Sequence, residues 1–190
     1  MLRASSIALV IAGFAASTVF AQSNDDPAVF DATLVRFAFE RSQKTAPKYL
    51  VFNETTVVLP ENLGYAPTDL PKQLVDALLT YNSVPQSIEK YSPPFPFRLS
   101  SAKMLGLVLR VESPRLVRHH YYNWNLLRAR FPEVVGILEF ASPAYSPDGA
   151  TALVYFWTGC GPDCASGFVY VLEKSNGTWK VVRTFSPWIA

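Results

Sequence analysis

The chain has 190 residues, 17 basic and 15 acidic side chains, a formal charge of +2 and a 49% share of hydrophobic residues. That length suits one domain. Both signs of charge are interspersed along it. The absence of a basic stripe argues against nucleic acid as a partner, and the absence of an acidic tail argues against a histone-like or cationic one.

Residues Met1 to Ala21 read as a secretory signal. Arg3 supplies the positive start, Ile7 to Ala16 an apolar core, and Val19-Phe20-Ala21 small residues at the two positions that signal peptidase reads. The alternative is an uncleaved anchor, but the run from Ala4 carries Ser5, Ser6, Ser17 and Thr18 and is short for a span. No cysteine follows the cleavage site, which argues against a lipid anchor. The expectation is a periplasmic or secreted protein with no integral membrane segment after cleavage, and a single α+β domain over residues 22–190.

Asp26-Pro27 opens a helix, with Asp capping and Pro in the first turn. Phe30, Leu34 and Phe37 follow at helical spacing, with Arg41 on the same line. Tyr49 to Phe52 is a short strand candidate and Thr55 to Leu59 another, before Pro60 and Gly64 break the pattern. Thr68 or Asp69 can cap a second helix to about Tyr81, with Leu70, Leu74, Leu78 and Tyr81 as its apolar face and Asn82 as its end. Tyr91 to Phe97 reads as an extended proline-rich connection. Ser113-Pro114 opens a third helix, with Val117, His120, Trp124, Leu127 and Phe131 along one side, stopped by Pro132.

Four strand-like runs then follow: Val134 to Phe140, Ala150 to Trp157, Gly167 to Glu173, and Thr178 to Phe185. They are rich in β-branched and aromatic residues. Ser146-Pro147-Asp148-Gly149 and Asn176-Gly177 are turn signals, the second a strong one for a two-residue hairpin. In the second run Leu153, Tyr155 and Trp157 oppose Val154 and Phe156, so both faces are apolar and both should be covered. The fourth run, with Trp179, Val181 and Phe185 opposite Lys180, Val182 and Thr184, suits an edge. Joined in order, the runs predict a four-stranded antiparallel meander packed on helices, a layout like cystatin-like or NTF2-like folds.

Cys160-Gly161-Pro162-Asp163-Cys164 joins the second and third runs. Its reach permits a bridge between Cys160 and Cys164, and an oxidising compartment favours a disulfide over a metal site. So small a loop adds about 2 kcal/mol or less. A redox role is the alternative, although disulfide oxidoreductases normally place two residues between the cysteines at a helix start. The order Trp124, Phe131-Pro132, Gly136, Tyr145-Ser146-x-Asp148-Gly149, Ala152-Leu153-Val154-Tyr155, Cys160-Gly161-x-x-Cys164, Gly177-x-Trp179 and Trp188-Ile189 resembles a group of exported bacterial proteins of unknown function. The resemblance covers the last third of the chain. It implies a compartment and a fold, and no activity.

No motif specifies a reaction. Ser100-Ser101-Ala102-Lys103 matches the Ser-x-x-Lys of penicillin-recognising enzymes, but so does Ser87-Ile88-Glu89-Lys90, and the companion motifs are missing; a helix cap is the plainer role for Ser100 or Ser101. His119 and His120 are adjacent, so on a helix they diverge by about 100° and suit one zinc ion poorly. No cofactor and no metal are implied. The aromatics Tyr122, Trp124, Tyr155 and Trp157 either line a concave ligand site or fill the space between sheet and helix. The sequence therefore predicts a non-enzymatic accessory or binding protein for a small molecule or another protein. The alternative is an extracytoplasmic enzyme, a thiol–disulfide protein using Cys160 and Cys164 or a hydrolase without a readable motif.

Overall fold

The computed structural model describes residues 24–41, 48–56, 63, 70–94, 96–101, 108–109 and 121–189. The expected signal segment, most of the second strand candidate, the Thr68 and Asp69 caps, Lys103, His119, His120 and the start of the third helix lie outside the described residues.

Helix α1 spans Asp26–Arg41 and buries Val29, Phe30, Leu34 and Phe37. Phe30, Leu34 and Phe37 lie on one stripe, as the sequence predicts, and Val29 is buried beside them. Strand β1 is Lys48–Phe52. Helix α2, Lys72–Tyr81, starts after Pro71 and ends on Asn82, with Leu74 and Leu78 buried. Strands β2 (Phe97–Ser100), β3 (Val108–Leu109) and β4 (Tyr121–Tyr122) follow, then helix α3 (Trp124–Arg130). The remaining strands are β5 (Val134–Phe140), β6 (Ala144–Tyr145), β7 (Thr151–Gly161), β8 (Cys164–Ser175) and β9 (Thr178–Ile189).

Seven strands form one sheet in the order β2-β1-β5-β7-β8-β9, with β6 also on β7. The four predicted runs are neighbours in antiparallel register. They do not stand as a separate four-stranded meander, because β1 pairs parallel with β5 and β2 pairs parallel with β1. The fold is thus α+β around a mixed sheet. Strand β5 is apolar on both faces, and pairing with β1 removes its backbone edge from water.

The central strands feed clusters on both faces of the sheet. Tyr49, Val51, Leu138, Phe140, Val154, Phe156, Tyr170 and Leu172 face α1. On the opposite face, Leu153, Tyr155, Val169 and Val171 meet α2, and Leu50, Phe52 and Ile137 meet α3 and Tyr122. Helices therefore cover both faces of the sheet. This differs from the cystatin-like or NTF2-like expectation, in which a sheet curls around one helix.

Local departures from the sequence reading have local causes. The third helix is short: Tyr121 and Tyr122 pair as β4 with β3, and Asn123 caps the helix by accepting from the Leu126 N–H at 3.0 Å. Trp124, Leu127 and Phe131 still share one cluster, as their spacing predicts. Phe97 does not end a surface connection but opens β2, and Ser100 pairs with Phe52 there instead of capping a helix. Thr55 and Thr56 lie outside any strand; their N–H groups bond the Gln86 and Phe140 carbonyls. In β9 a register shift opposite Val171 and Leu172 makes Val182 an extra residue. Such a bulge reverses the alternation, so Val181 joins the α1 core while Phe185 joins the α2 core.

The predicted tight turns are in place. Asn176 and Gly177 have φ of 49° and 75°, the positive pair that a type I′ hairpin requires. Cys160 and Cys164 are joined as a disulfide, with Cα atoms 5.2 Å apart.

Candidate functional site

A cavity of about 630 Å³ opens at one end of the sheet, between the first turn of α1, the length of α2 and the segment that links β5 to β7. It lies beyond the carboxyl end of β5, which runs parallel to β1. The carboxyl ends of parallel strands are where open sheets commonly hold ligands.

Each wall has a local reason for its position. Leu74 and Ala77 come from the α2 face next to the sheet, and Pro143 lies three residues beyond the end of β5. Asn82 fixes the two walls to each other. Its side chain is fully buried, its Nδ2 donates to the carbonyls of Leu78 (2.8 Å) and Ser142 (2.9 Å), and its Oδ1 accepts from the Ser142 N–H at 2.6 Å. One amide thus closes the end of α2 and pins the cavity's Ser142-Pro143 wall. The Ser142 hydroxyl is buried and has no hydrogen-bond partner.

Asp26 stands at the α1 side of the cavity and is 5% exposed. The Tyr145 hydroxyl, carried by β6, donates to its Oδ1 at 2.6 Å. Its place in the first turn also lets the amino-terminal end of the helix favour its negative charge. The neighbouring Asp25 pairs instead with Lys174 at 2.7 Å. Asp26 also borders a second cavity of about 500 Å³ beside Phe30, Ile88 and Tyr91.

The candidate aromatics named from the sequence lie elsewhere. Tyr122 stacks on Trp157 with ring centroids 5.8 Å apart and meets Trp124 edge-on at 6.1 Å. Tyr155 is buried and accepts from Trp188 Nε1 at 3.1 Å. None of the four lines the 630 Å³ cavity. Two of them hold a buried carboxylate that no sequence motif marked: Tyr122 Oη donates to Glu139 Oε1, and Trp157 Nε1 donates to Glu139 Oε2 at 3.1 Å. Burial first, then the Glu139 charge and its hydrogen bond, push the Tyr122 phenol far above its ordinary range.

Cys160 and Cys164 are exposed at the β7–β8 tip. Arg128 of α3 reaches that tip, where its Nη2 donates to the Cys160 carbonyl at 3.3 Å. Among the described residues no group of three or more His, Cys, Asp or Glu is placed to hold a metal ion, and no helix is long and apolar enough to cross a membrane.

Asp26, Asn82 and the Ser142–Tyr145 segment are far apart in sequence, and no spacing rule links them. Asp26 and Asn82 were legible only as helix ends. Tyr145 was legible as part of the Tyr-Ser-x-Asp-Gly pattern, where its neighbours make the turn. Compared with protein-family models, curated proteins and solved structures, the chain matches none.

Proposed function

We propose that this protein is an accessory binding module that holds a small amphipathic molecule in the cavity between α1, α2 and the β5–β7 segment. The observation that carries the reading is the cavity itself, about 630 Å³, in which the apolar surface of Leu74, Ala77 and three prolines is mixed with polar groups such as Asp26, Gln73 and Gln86. That volume lies within the range of small-molecule sites, which combine apolar walls with a few placed polar groups. The clamp at Asn82 supports it further, since it holds the walls in place without a ligand. The compartment we propose is periplasmic or secreted, supported by the Met1–Ala21 pattern and by the disulfide. The resemblance to exported bacterial proteins belongs to the same proposal.

The test uses N-phenyl-1-naphthylamine, a neutral apolar probe whose fluorescence rises on leaving water. Saturable binding is expected, and Ala77→Trp, which places an indole in the cavity, should abolish it. No saturable binding, or binding unaffected by that substitution, refutes the reading.

A second reading, thiol–disulfide exchange, is favoured by one observation: both cysteines are exposed, with the Arg128 guanidinium beside them. A nearby cation lowers a thiol pKa and raises its reactivity. Reduction of insulin catalysed by the protein, lost in Cys160→Ser, would establish it. For the hydrolase reading, a serine nucleophile needs a base within hydrogen-bond reach: of the two serines lining the cavity, Ser142 has a hydroxyl without a partner, and Ser146 has a hydroxyl that donates to Asp148 Oδ1 at 2.5 Å and accepts from the Thr151 N–H, engaged in closing its own turn.

A further inference from the structure

We infer that the cavity takes a peptide: a short, extended, uncharged stretch of chain with apolar side chains. This specifies the ligand class of the binding reading above and rests on it. Several of the polar groups at the cavity are already engaged or out of reach. Asp26 is 5% exposed, accepts the Tyr145 hydroxyl and has a further contact of its own, so it is part of the wall. The Ser142 hydroxyl is buried, and the Ser146 hydroxyl closes its own turn. The side chains left to a ligand are the amides of Gln73 and Gln86 and the hydroxyl of Thr151. Both glutamines are exposed and Thr151 is half-buried. Among the described residues the Gln73 amide and the Thr151 hydroxyl make no hydrogen bond. Gln86 Nε2 makes a long one, 3.4 Å, to the Val84 carbonyl.

All three groups are neutral, and each both donates and accepts. A peptide group has the same two functions, one N–H and one C=O. An ion entering the cavity would give up hydration with no free opposite charge to receive it, which is costly. An ester accepts but does not donate, so it answers only half of what these walls offer. Leu74, Ala77 and the prolines supply apolar surface next to the amides, which suits side chains branching from a backbone. The second cavity gives the ligand its length. It measures about 500 Å³, shares Asp26 with the first and continues along the same segment, with Gln86 lining one and Ser87 to Tyr91 the other. A compact molecule fills one cavity, whereas an extended chain, at about 3.3–3.6 Å per residue, runs from one into the next. The charged residues added there, Glu89 and Lys90, are exposed and opposite in sign, so they favour neither an anion nor a cation.

Calorimetric titration of the full protein with N-hexylacetamide, hexyl acetate, hexylamine and heptanoate at neutral pH varies the head group on one hexyl chain. The amide offers one hydrogen bond more than the ester, so it should bind about five-fold tighter, with both ions weaker than the amide. Gln73→Leu combined with Gln86→Leu, both at exposed positions, should erase the amide preference while hexyl acetate still binds; if that variant does not fold, the wild-type series decides alone. Acetyl-Ala-Leu-Ala-Leu-amide should bind tighter than N-hexylacetamide. Glu89→Trp, at the second cavity, should weaken the tetrapeptide and leave N-hexylacetamide unchanged. Equal affinities for amide and ester, or tighter binding of either ion, overturn the inference and leave the binding reading intact. Binding of N-phenyl-1-naphthylamine alone does the same. An amide preference with no gain for the tetrapeptide overturns the peptide and leaves a small amide as the ligand. Failure of every probe, including N-phenyl-1-naphthylamine, overturns the binding reading itself.

Discussion

Replacing Asn82 with alanine should both destabilise the protein and disable the cavity. The amide is fully buried, and it satisfies the N–H and the carbonyl of Ser142, itself 8% exposed. Truncation orphans both groups. A buried donor or acceptor left unpaired costs about 1–3 kcal/mol, and water entering the vacated space recovers part of that, so the expected loss is about 2–4 kcal/mol. For a domain of this size that lowers Tm by roughly 5–15 °C. Urea unfolding followed by circular dichroism should show a lower midpoint with an unchanged slope. Asn82→Asp is the informative comparison. It retains an acceptor for the Ser142 N–H but turns a carboxylate oxygen toward the Leu78 and Ser142 carbonyls, so it should be no more stable than the alanine variant. Below its own unfolding transition, Asn82→Ala should also bind N-phenyl-1-naphthylamine more weakly, because the Ser142-Pro143 wall is no longer tied to α2. An alanine variant within 2 °C of wild type, by the same scale of about 2–4 °C per kcal/mol, would refute the clamp.

Gly177→Val should destabilise by about 1 kcal/mol or more, since its φ of 75° is one a β-branched residue resists, and thermal unfolding measures the loss. Thiol counting after denaturation should find no free cysteine before reduction; the double variant Cys160→Ser with Cys164→Ser should lose about 2 kcal/mol at most and keep its strand signal, because the loop that it opens is small. At alkaline pH the buried phenols Tyr91, Tyr122 and Tyr170, which donate to Asp31, Glu139 and Glu40, should resist ionisation. Burial raises each above the ordinary 10.0. Because the folded values lie above the unfolded one, their contribution is complete below about pH 10 and falls as pH rises past it. Absorbance at 295 nm should therefore rise together with unfolding in that range; phenols that all ionise near pH 10 with the fold intact would contradict the burial.

Local patterns were enough for the elements whose partners are near in sequence. The stripe Phe30, Leu34, Phe37 specified α1, Leu74 and Leu78 specified α2, Asn176-Gly177 specified the last hairpin, and two-sided hydrophobicity marked β7 as a covered strand. These signals are readable because helical and strand periodicity, and positive φ, are properties of a few adjacent residues. The single-residue bulge at Val182 was not readable, since nothing in a run of β-branched residues says which of them will be left unpaired.

The amino-acid sequence by itself determined the α+β class, the strand-rich last third and the reach of the cysteine bridge. Tertiary structure alone decided that β1 and β2 join β5 in parallel, that helices cover both faces of the sheet, and that Asp26, Asn82, Ser142 and Tyr145 meet around one cavity. Asp26 and Tyr145 are 119 positions apart and Asn82 and Ser142 are 60 apart. Pairings of that separation leave no periodic mark, because they follow from which apolar faces find each other once the sheet is assembled. The buried Glu139 shows the same limit: a lone carboxylate amid apolar neighbours reads as an exposed charge until the phenol of Tyr122 and the indole of Trp157 are brought to it from elsewhere in the fold.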